Sequence, residues 1–328
     1  MSDTQPTCAI ISPALANANN GNWHTAARWQ RFLAADAKVS IALAWDGAPV
    51  DVLIALHACR SADTIARFAS AYPDRPLIVV LTGTDLYRDV KNNRAVLHSM
   101  EAATHLVVLQ DQALLELAPS LRQKARVIVQ SAPRLARIKP NKTTFDFIAV
   151  GHLRDEKDPL TLMRAVRAIP ASSPIRVLHI GDALDDALAQ AARQTMARCS
   201  HYRWLGGLPQ PHTRRWIARS QALIHPSVME GGANVIIEAV QSQAPVLASW
   251  ISGNIGMLGS DYAGYFPLGD AEVLAKLMLR FASDQTFAAH LRTQCQTRSA
   301  LFEPKRERQL VRQLFNDARV KQSKNITG

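Results

Sequence analysis

The sequence predicts an α/β protein made of two doubly wound, parallel-sheet units in series. Three observations carry this. Short β-branched runs alternate with amphipathic helical segments from end to end. The runs are apolar throughout, as parallel strands are when helices cover both faces of their sheet. The alternation also breaks and restarts around "QSAPRLARIKPNKTTF", residues 130–145, where prolines, basic residues and Asn-Lys-Thr-Thr interrupt the periodicity. A chain of 328 residues exceeds the usual size of one core, so two domains fit.

In the first half, "CAIIS", "VSIAL", "DVLIALH", "PLIVVLTG", "HLVVLQ" and "RVIVQ" read as strands. The segment "WHTAARWQRFLAA" between the first two places Ala26, Trp29 and Leu33 on one helical face. After the break come "FDFIAVG", "RVLHIG", "YRWLG", "ALIHPS" and "PVLAS", again with helices between. The domains are expected at 1–138 and 139–305. Residues 306–328 would hold a closing helix, near 304–320, that crosses back to the first domain, and a frayed tail. Ligands of such sheets bind beyond the carboxyl ends of the strands, so a cleft between the units is the expected site.

Composition narrows the functional class. Hydrophobic residues make up 48% and charged residues 20%, which is ordinary for a globular protein. No apolar run approaches the roughly 18 residues that would span a membrane. The N-terminus lacks a basic region followed by a long apolar one, and a cytoplasmic location is expected. Cys8, Cys59, Cys199 and Cys295 are scattered without a C-x-x-C, so four reduced thiols are expected rather than disulfides or a zinc site. The net charge of +11 suits a solvated basic surface, small anionic substrates or nucleic acid. No nucleic-acid motif accompanies it, and apart from "EPKRERQLVRQ" the basic residues are spread along the chain.

Two loops after strands carry chemistry. In "AVGHLRDEKDPLTLMRAV" a strand ends at Val150, Gly151 permits a tight exit, and Asp158-Pro159 is suited to start a helix. Arg154 and Lys157 lie between, where they can grip a diphosphate; an ordinary solvated basic loop reads the same way. In "LIHPSVMEGGANVIIEAV" a strand feeds Gly231-Gly232 and then a helix, whose free N–H groups attract anions. On that helix Val235, Ile236, Ala239 and Val240 form an apolar face, with Asn234, Glu238 and Gln241 on a polar one. Glu230 and Glu238, two turns or so apart, can each accept hydrogen bonds from vicinal hydroxyls. The pair Asp185-Asp186 reads as a helix start rather than a metal motif.

The basic loop after the first strand, the Gly181-Asp182 after the second, "PSVMEGG" and the E-x7-E pair, in that order, resemble the second domain of GT-B glycosyltransferases of the family 4 type. The resemblance implies a GT-B fold, two Rossmann-like domains facing a central cleft, and catalysis without a metal or other cofactor. It implies that Lys157 contacts the donor diphosphate, that Glu230 lies near the donor sugar and that Glu238 holds the ribose. Gly151, His152, Arg154, Gly181, Leu208, Gly231, Gly232, Ala233 and Asn234 complete the implied UDP-sugar site, with Lys157, Arg154 and Glu230 in catalysis. Two positions depart from the pattern. His152 stands where an arginine is usual, so Arg154 is expected to supply that charge. "SGNIGML", residues 252–258, lacks the acid of the usual G-G-x-x-E.

The first half narrows the reading further. "NNGNWHTAARW" places Asn20, Gly21, Asn22 and His24 between a strand and a helix, and "LTGTDLYRD" places Thr82, Gly83, Thr84, Asp85 and Arg88 after another strand. Hydroxyls, amides and an arginine suit a small polar or anionic acceptor; a capped turn also explains "TGTD". His24, His57 and His152 are candidates with structural readings beside them. Together with "AWDG", "DVLIALHACRSA", "YRWLGGLP" and "DYAGYFPLGD", these segments resemble the selenosugar synthase family of selenoneine biosynthesis along residues 8–305. That resemblance implies sugar transfer from UDP-N-acetylglucosamine or UDP-glucose to the selenium of selenophosphate. It also implies a functional link to the other enzymes of that pathway, with no nucleic-acid or membrane partner. A glycosyltransferase with a small oxygen acceptor is the other reading of the same donor motifs.

Overall fold

The computed structural model describes residues 5–16, 21–141 and 143–326. The chain forms two compact units, one of Met1–Gln130 with Pro304–Gly328 and the other of Ser131–Glu303. Each holds a six-stranded sheet in which the described pairings are all parallel. Each unit is a parallel-sheet α/β domain, as the alternation of strands and helices predicts.

Unit 1 contains β1 (Thr7–Ile11), β2 (Lys38–Ala42), β3 (Val52–Leu56), β4 (Leu77–Leu81), β5 (His105–Val108) and β6 (Ala125–Val127), in the order β2-β1-β3-β4-β5-β6. β3 and β4 are buried at every position, as their unbroken apolar runs require. The helix Gly21–Leu33 lays Ala26, Trp29 and Leu33 onto one face of this sheet. Ile65 and Phe68 of the helix Ala62–Ala71 cover the other face. Chain order reverses between β1 and β3, so the loops leaving those strands flank the place where such a sheet opens for a ligand.

The closing helix runs Pro304–Ile326, farther than 304–320, and takes in most of the tail expected to fray. Its Val311, Leu314, Phe315 and Ala318 complete the core around Trp29 and Leu33. Glu307, fully buried, accepts from Trp29 Nε1 at 2.8 Å and from Arg28 Nε at 2.7 Å. A buried carboxylate is stable only with such partners.

Unit 2 contains β7 (Phe145–Val150), β8 (Ile175–Ile180), β9 (Tyr202–Trp204), β10 (Ala222–His225), β11 (Val246–Ser249) and β12 (Tyr265–Phe266), in the order β12-β11-β10-β7-β8-β9. The reversal lies between β7 and β10, whose Ile148 and Ala149 pair with Leu223 and Ile224. The division between units falls at 130/131 rather than 138/139. Backbone hydrogen bonds decide it: Ala132 N–H donates to Phe302, Leu135 N–H to Gln241 and Ile138 N–H to Ala218. The unit ends at Glu303, two residues before the expected 305, because the closing helix begins at Pro304.

Among the described residues no helix is long and apolar enough to cross a membrane. The four cysteines are free thiols. No cluster of three or more His, Cys, Asp or Glu suited to a metal occurs among the described residues.

Candidate functional site

The loop after β7 and the loop after β10 meet at the reversal point of unit 2. Lys157 closes a short 3-10 turn, Asp155–Lys157, and Asp158 follows in the left-handed region at φ 44°. That conformation is uncommon outside glycine. It is held here by the Asp158 carboxylate, which accepts from Thr161 N–H at 3.1 Å and Thr161 Oγ1 at 2.6 Å and so caps the helix Pro159–Arg167. Lys157 then lies across the end of β7. A Cβ on Gly151 would stand 3.2 Å from Lys157 Cγ, so the lysine stem packs closely over this glycine.

Lys157 Nζ donates to Glu230 Oε1 at 2.5 Å. Two residues of the predicted set, 73 positions apart, are thus an ion pair before any donor arrives. Glu230 is nine-tenths buried. Burial pushes its carboxyl up, but the Lys157 ammonium and the neighbouring His225 pull it farther down, well below the usual carboxylate range. His225, the last residue of β10, was not among the predicted site residues. Its Nε2 stands 3.1 Å from Glu230 Oε1, close enough for that carboxylate to raise the basicity of the ring, and makes no hydrogen bond to any other described residue. The signal available was "HPS" itself, a histidine ending a buried strand five residues before the glutamate.

Gly181 and His152 form the neighbouring wall. A Cβ on Gly181, at φ 156°, would lie 1.9 Å from the Gly151 carbonyl oxygen, so only glycine lets the two loops touch. His152 Nδ1 accepts the Asp182 N–H at 3.0 Å, which puts the proton of its neutral ring on Nε2. Burial lowers its basicity, Asp182 opposes that, and Arg154 and Lys157 reinforce it. The imidazole therefore stands as a neutral donor where the resembled family carries an arginine. Arg154 Nε is 3.8 Å from Glu156 Oε2, beyond hydrogen-bond reach. His179, unmentioned in the sequence reading, donates from Nε2 to the Gly151 carbonyl and accepts from the Tyr202 hydroxyl at 2.8 Å. Its basicity is pushed down to about 4 by burial, so it works as a neutral brace under the loop.

Glu238 corrects the expected faces of its helix. The helix Asn234–Gln241 buries Ile237, Glu238 and Gln241 as well as its apolar residues, while Val235 is only half-buried. Glu238 lies in the interior because the helix Gln210–Arg219 brings partners to it: Gln210 Nε2 donates to Oε1 at 2.7 Å, and Arg214 stands 3.9 Å away. Arg214 also donates to the Pro133 carbonyl. The helix begins after Gly231, Gly232 and an N-cap Ala233 that offers no side-chain acceptor, so Asn234 opens a first turn without acidic residues. Such a turn favours an anion. Leu208 precedes the Gln210 helix, and its carbonyl accepts from Thr213 Oγ1. Asp185 caps the helix Asp186–Arg198, as expected for a helix start.

The segment lacking the usual acid has a supporting part. A Cβ on Gly253 would fall 2.1 Å from the Glu230 carbonyl oxygen, so the helix Ser252–Leu258 packs directly against the Glu230 loop. Asn254, fully buried, holds Ser249 through its Nδ2.

In unit 1 the acceptor residues divide. Asn20 lies outside the described residues. Gly21 and Asn22 belong to the first turn of the helix Gly21–Leu33 rather than to a preceding loop, and Thr25 Oγ1 donates back to the Gly21 carbonyl. His24, one turn on, is kept neutral by burial and Arg28. Asp85 is not an acceptor contact. It is fully buried, and its carboxylate accepts from the backbone N–H groups of Thr82, Gly83 and Ala58 at 2.8 to 3.2 Å, so it shapes the loop. Arg88 is exposed on a π-helical turn and donates to Asp89 at 2.9 Å. His57, at φ 70°, leaves β3 at the reversal point and reaches Thr84 Oγ1 with Nε2 at 2.9 Å. Its Nδ1 receives the Arg60 N–H, so the ring donates to Thr84, whose own hydroxyl proton stays available. Strain of this kind gathers at functional positions.

Residues 144–284 match the family described as Glycosyl transferases group 1. A curated relative, "Glycosyltransferase 1 domain-containing protein 1" of Xenopus tropicalis, is 26% identical over 211 residues. That alignment takes in 58% of this chain, which spans only 61% of the relative's length. The fold is similar to the sucrose-phosphate synthase of Thermosynechococcus elongatus, with a TM-score of 0.77, 15% identity, and coverage of 96% of this chain and 100% of that one. It is also similar to Anabaena Alr3699/HepE in complex with UDP-glucose, with a TM-score of 0.75, 14% identity, and coverage of 95% and 100%. Residues 144–284 of the second unit are thus similar to the glycosyl transferases group 1 family, and the fold is that of GT-B proteins.

Proposed function

We propose that this protein is a UDP-sugar-dependent glycosyltransferase that forms a carbon–selenium bond, making a 1-selenosugar from a UDP-sugar and selenophosphate. The observation that carries the donor half is the meeting of Lys157 and Glu230 at the reversal point of unit 2, with Glu238 about one turn into the next helix. In this reading Lys157 leaves Glu230 for the donor diphosphate, and Glu238, already aligned by Gln210, receives the ribose hydroxyls. The uncapped first turn at Ala233–Asn234 adds backbone donors. Negative charge grows on the departing UDP as the C1–O bond lengthens, and donors fixed in advance at that place lower the barrier.

The acceptor half rests on the resemblance along residues 8–305 and on the polar character of the loop after β4. Selenium of selenophosphate attacks C1, the electron pair of the C1–O bond leaves with UDP, and the C1–Se bond forms. Water cleaves the P–Se bond, releasing inorganic phosphate. An anionic selenium nucleophile needs no strong base, which suits a neutral His57 that serves to aim the Thr84 hydroxyl. Oxygen acceptors would require a base to take their proton, and the described acceptor residues supply mainly donors.

The test is anaerobic. Purified protein is mixed with UDP-N-acetylglucosamine or UDP-glucose and fresh selenophosphate, with UDP release followed and products examined for the selenium isotope pattern. Selenosugar appearing with UDP supports the reading. UDP release with oxygen acceptors alone overturns the selenium part.

A further inference from the structure

His225 is one of the most deeply buried polar side chains of unit 2, with 1% of its surface exposed, and the donor reading does not use it. Its Nε2 lies 3.1 Å from the same Glu230 oxygen that Lys157 occupies, and makes no hydrogen bond to any other described residue. One carboxylate oxygen therefore faces two potential donors, and one of them holds it. The arrangement is stable only while Lys157 stays. When a diphosphate draws the ammonium away, Glu230 loses its counter-charge, and a buried carboxylate without a cation beside it is costly even with a sugar hydroxyl in reach.

We propose that His225 takes over Glu230 when Lys157 turns to the donor diphosphate, and that it does so as an imidazolium, so that donor binding takes up a proton. The inference rests on the donor reading above. The balance is simple. One proton enters from solvent and stays on the ring, no covalent bond changes, and the Lys157 charge passes from Glu230 to the diphosphate while the His225 charge replaces it.

Electrostatics points the same way. Burial lowers the basicity of His225 and Lys157 reinforces this, while Glu230 opposes them. Removing Lys157 from Glu230 weakens a factor that lowers the basicity of the ring and leaves the one that raises it. The flanking elements hold no other charge on the ring. β11 contributes only Val246–Ser249. The ionisable residue of β7, Asp146, is at the opposite end of the strand with Arg176. Glu238 of the packed helix is engaged by Gln210. The sign follows: a group whose basicity rises on binding favours the complex at low pH and loses that effect as pH rises through its bound-state value.

The experiment is calorimetry with UDP-glucose, whose diphosphate linkage has no group titrating near neutrality, at pH 6 to 8 in buffers of different ionisation enthalpy. The expected result is uptake approaching about one proton per donor, with Kd rising up to about tenfold per pH unit across the titration window. His225→Gln should bind UDP-glucose with no uptake and a flat pH profile. In parallel, nitrogen NMR of the wild-type protein with labelled histidine should move a buried ring from the neutral to the imidazolium shift on adding UDP-glucose, which needs no variant. Binding without uptake, or uptake unchanged in the variant, overturns the role of His225. No binding of UDP-glucose or UDP-N-acetylglucosamine at any pH overturns the donor reading beneath it.

Discussion

The two units use the same sheet layers to opposite electrostatic ends. In unit 2 the loops at the reversal point gather full charges: Lys157 on Glu230, and Glu238 beside Arg214. In unit 1 the corresponding loops gather a carboxylate already spent on backbone amides and a histidine hydrogen-bonded to the Thr84 hydroxyl. The first arrangement can exchange partners when an anion arrives, because an ammonium can move. The second cannot, because Asp85 is held by the backbone itself. One corner is charged and exchangeable; the other holds a carboxylate fixed by backbone donors.

The largest test of this contrast is Lys157→Ala. If the ammonium stabilises charge that appears in the transition state, kcat should fall about 10²- to 10³-fold while donor Kd changes less than tenfold. A pure loss of donor binding with kcat intact would move Lys157 from chemistry to grip. Next comes Asp85→Asn, which leaves three inward backbone donors facing an amide that also brings N–H groups. A loss of about 2–3 kcal/mol in stability is expected, seen as a lower Tm, with UDP-sugar affinity unchanged. Lost activity without lost stability would instead make Asp85 a direct contact. The smallest effect is that of Glu238→Ala, expected to weaken UDP-sugar binding about tenfold, or about 1.4 kcal/mol, with kcat nearly constant. Unchanged donor affinity would remove the ribose assignment.

Much of this was legible in the sequence, for reasons that differ by element. Unbroken apolar runs such as "VLIAL" and "LIVVL" announce strands because both of their faces are covered. β12 has only Tyr265 and Phe266, too short for any periodicity to register. Ordered motifs single out Lys157 and Glu230, but their pairing depends on the reversal between β7 and β10, which spacing does not encode. The polar face expected around Glu238 went wrong because its partners come from a helix more than twenty residues earlier. The boundary at 130/131 escaped because prolines and basic residues look like a free connection even when their backbone is tied down.

The closing helix has a consequence for how the protein is made. Unit 2 is one continuous stretch, whereas unit 1 needs residues from both ends of the sequence. On a ribosome the first 130 residues emerge with the apolar surface around Trp29 and Leu33 lacking its cover, since Val311, Leu314 and Phe315 are still untranslated. The second unit can close during synthesis while the first waits for the helix that follows it. The usual order, in which the earlier domain folds first, is reversed here for the completion of its core. Chaperone demand should accordingly fall on the first-made half, and Glu307, arriving after unit 2, locks it through Trp29 and Arg28.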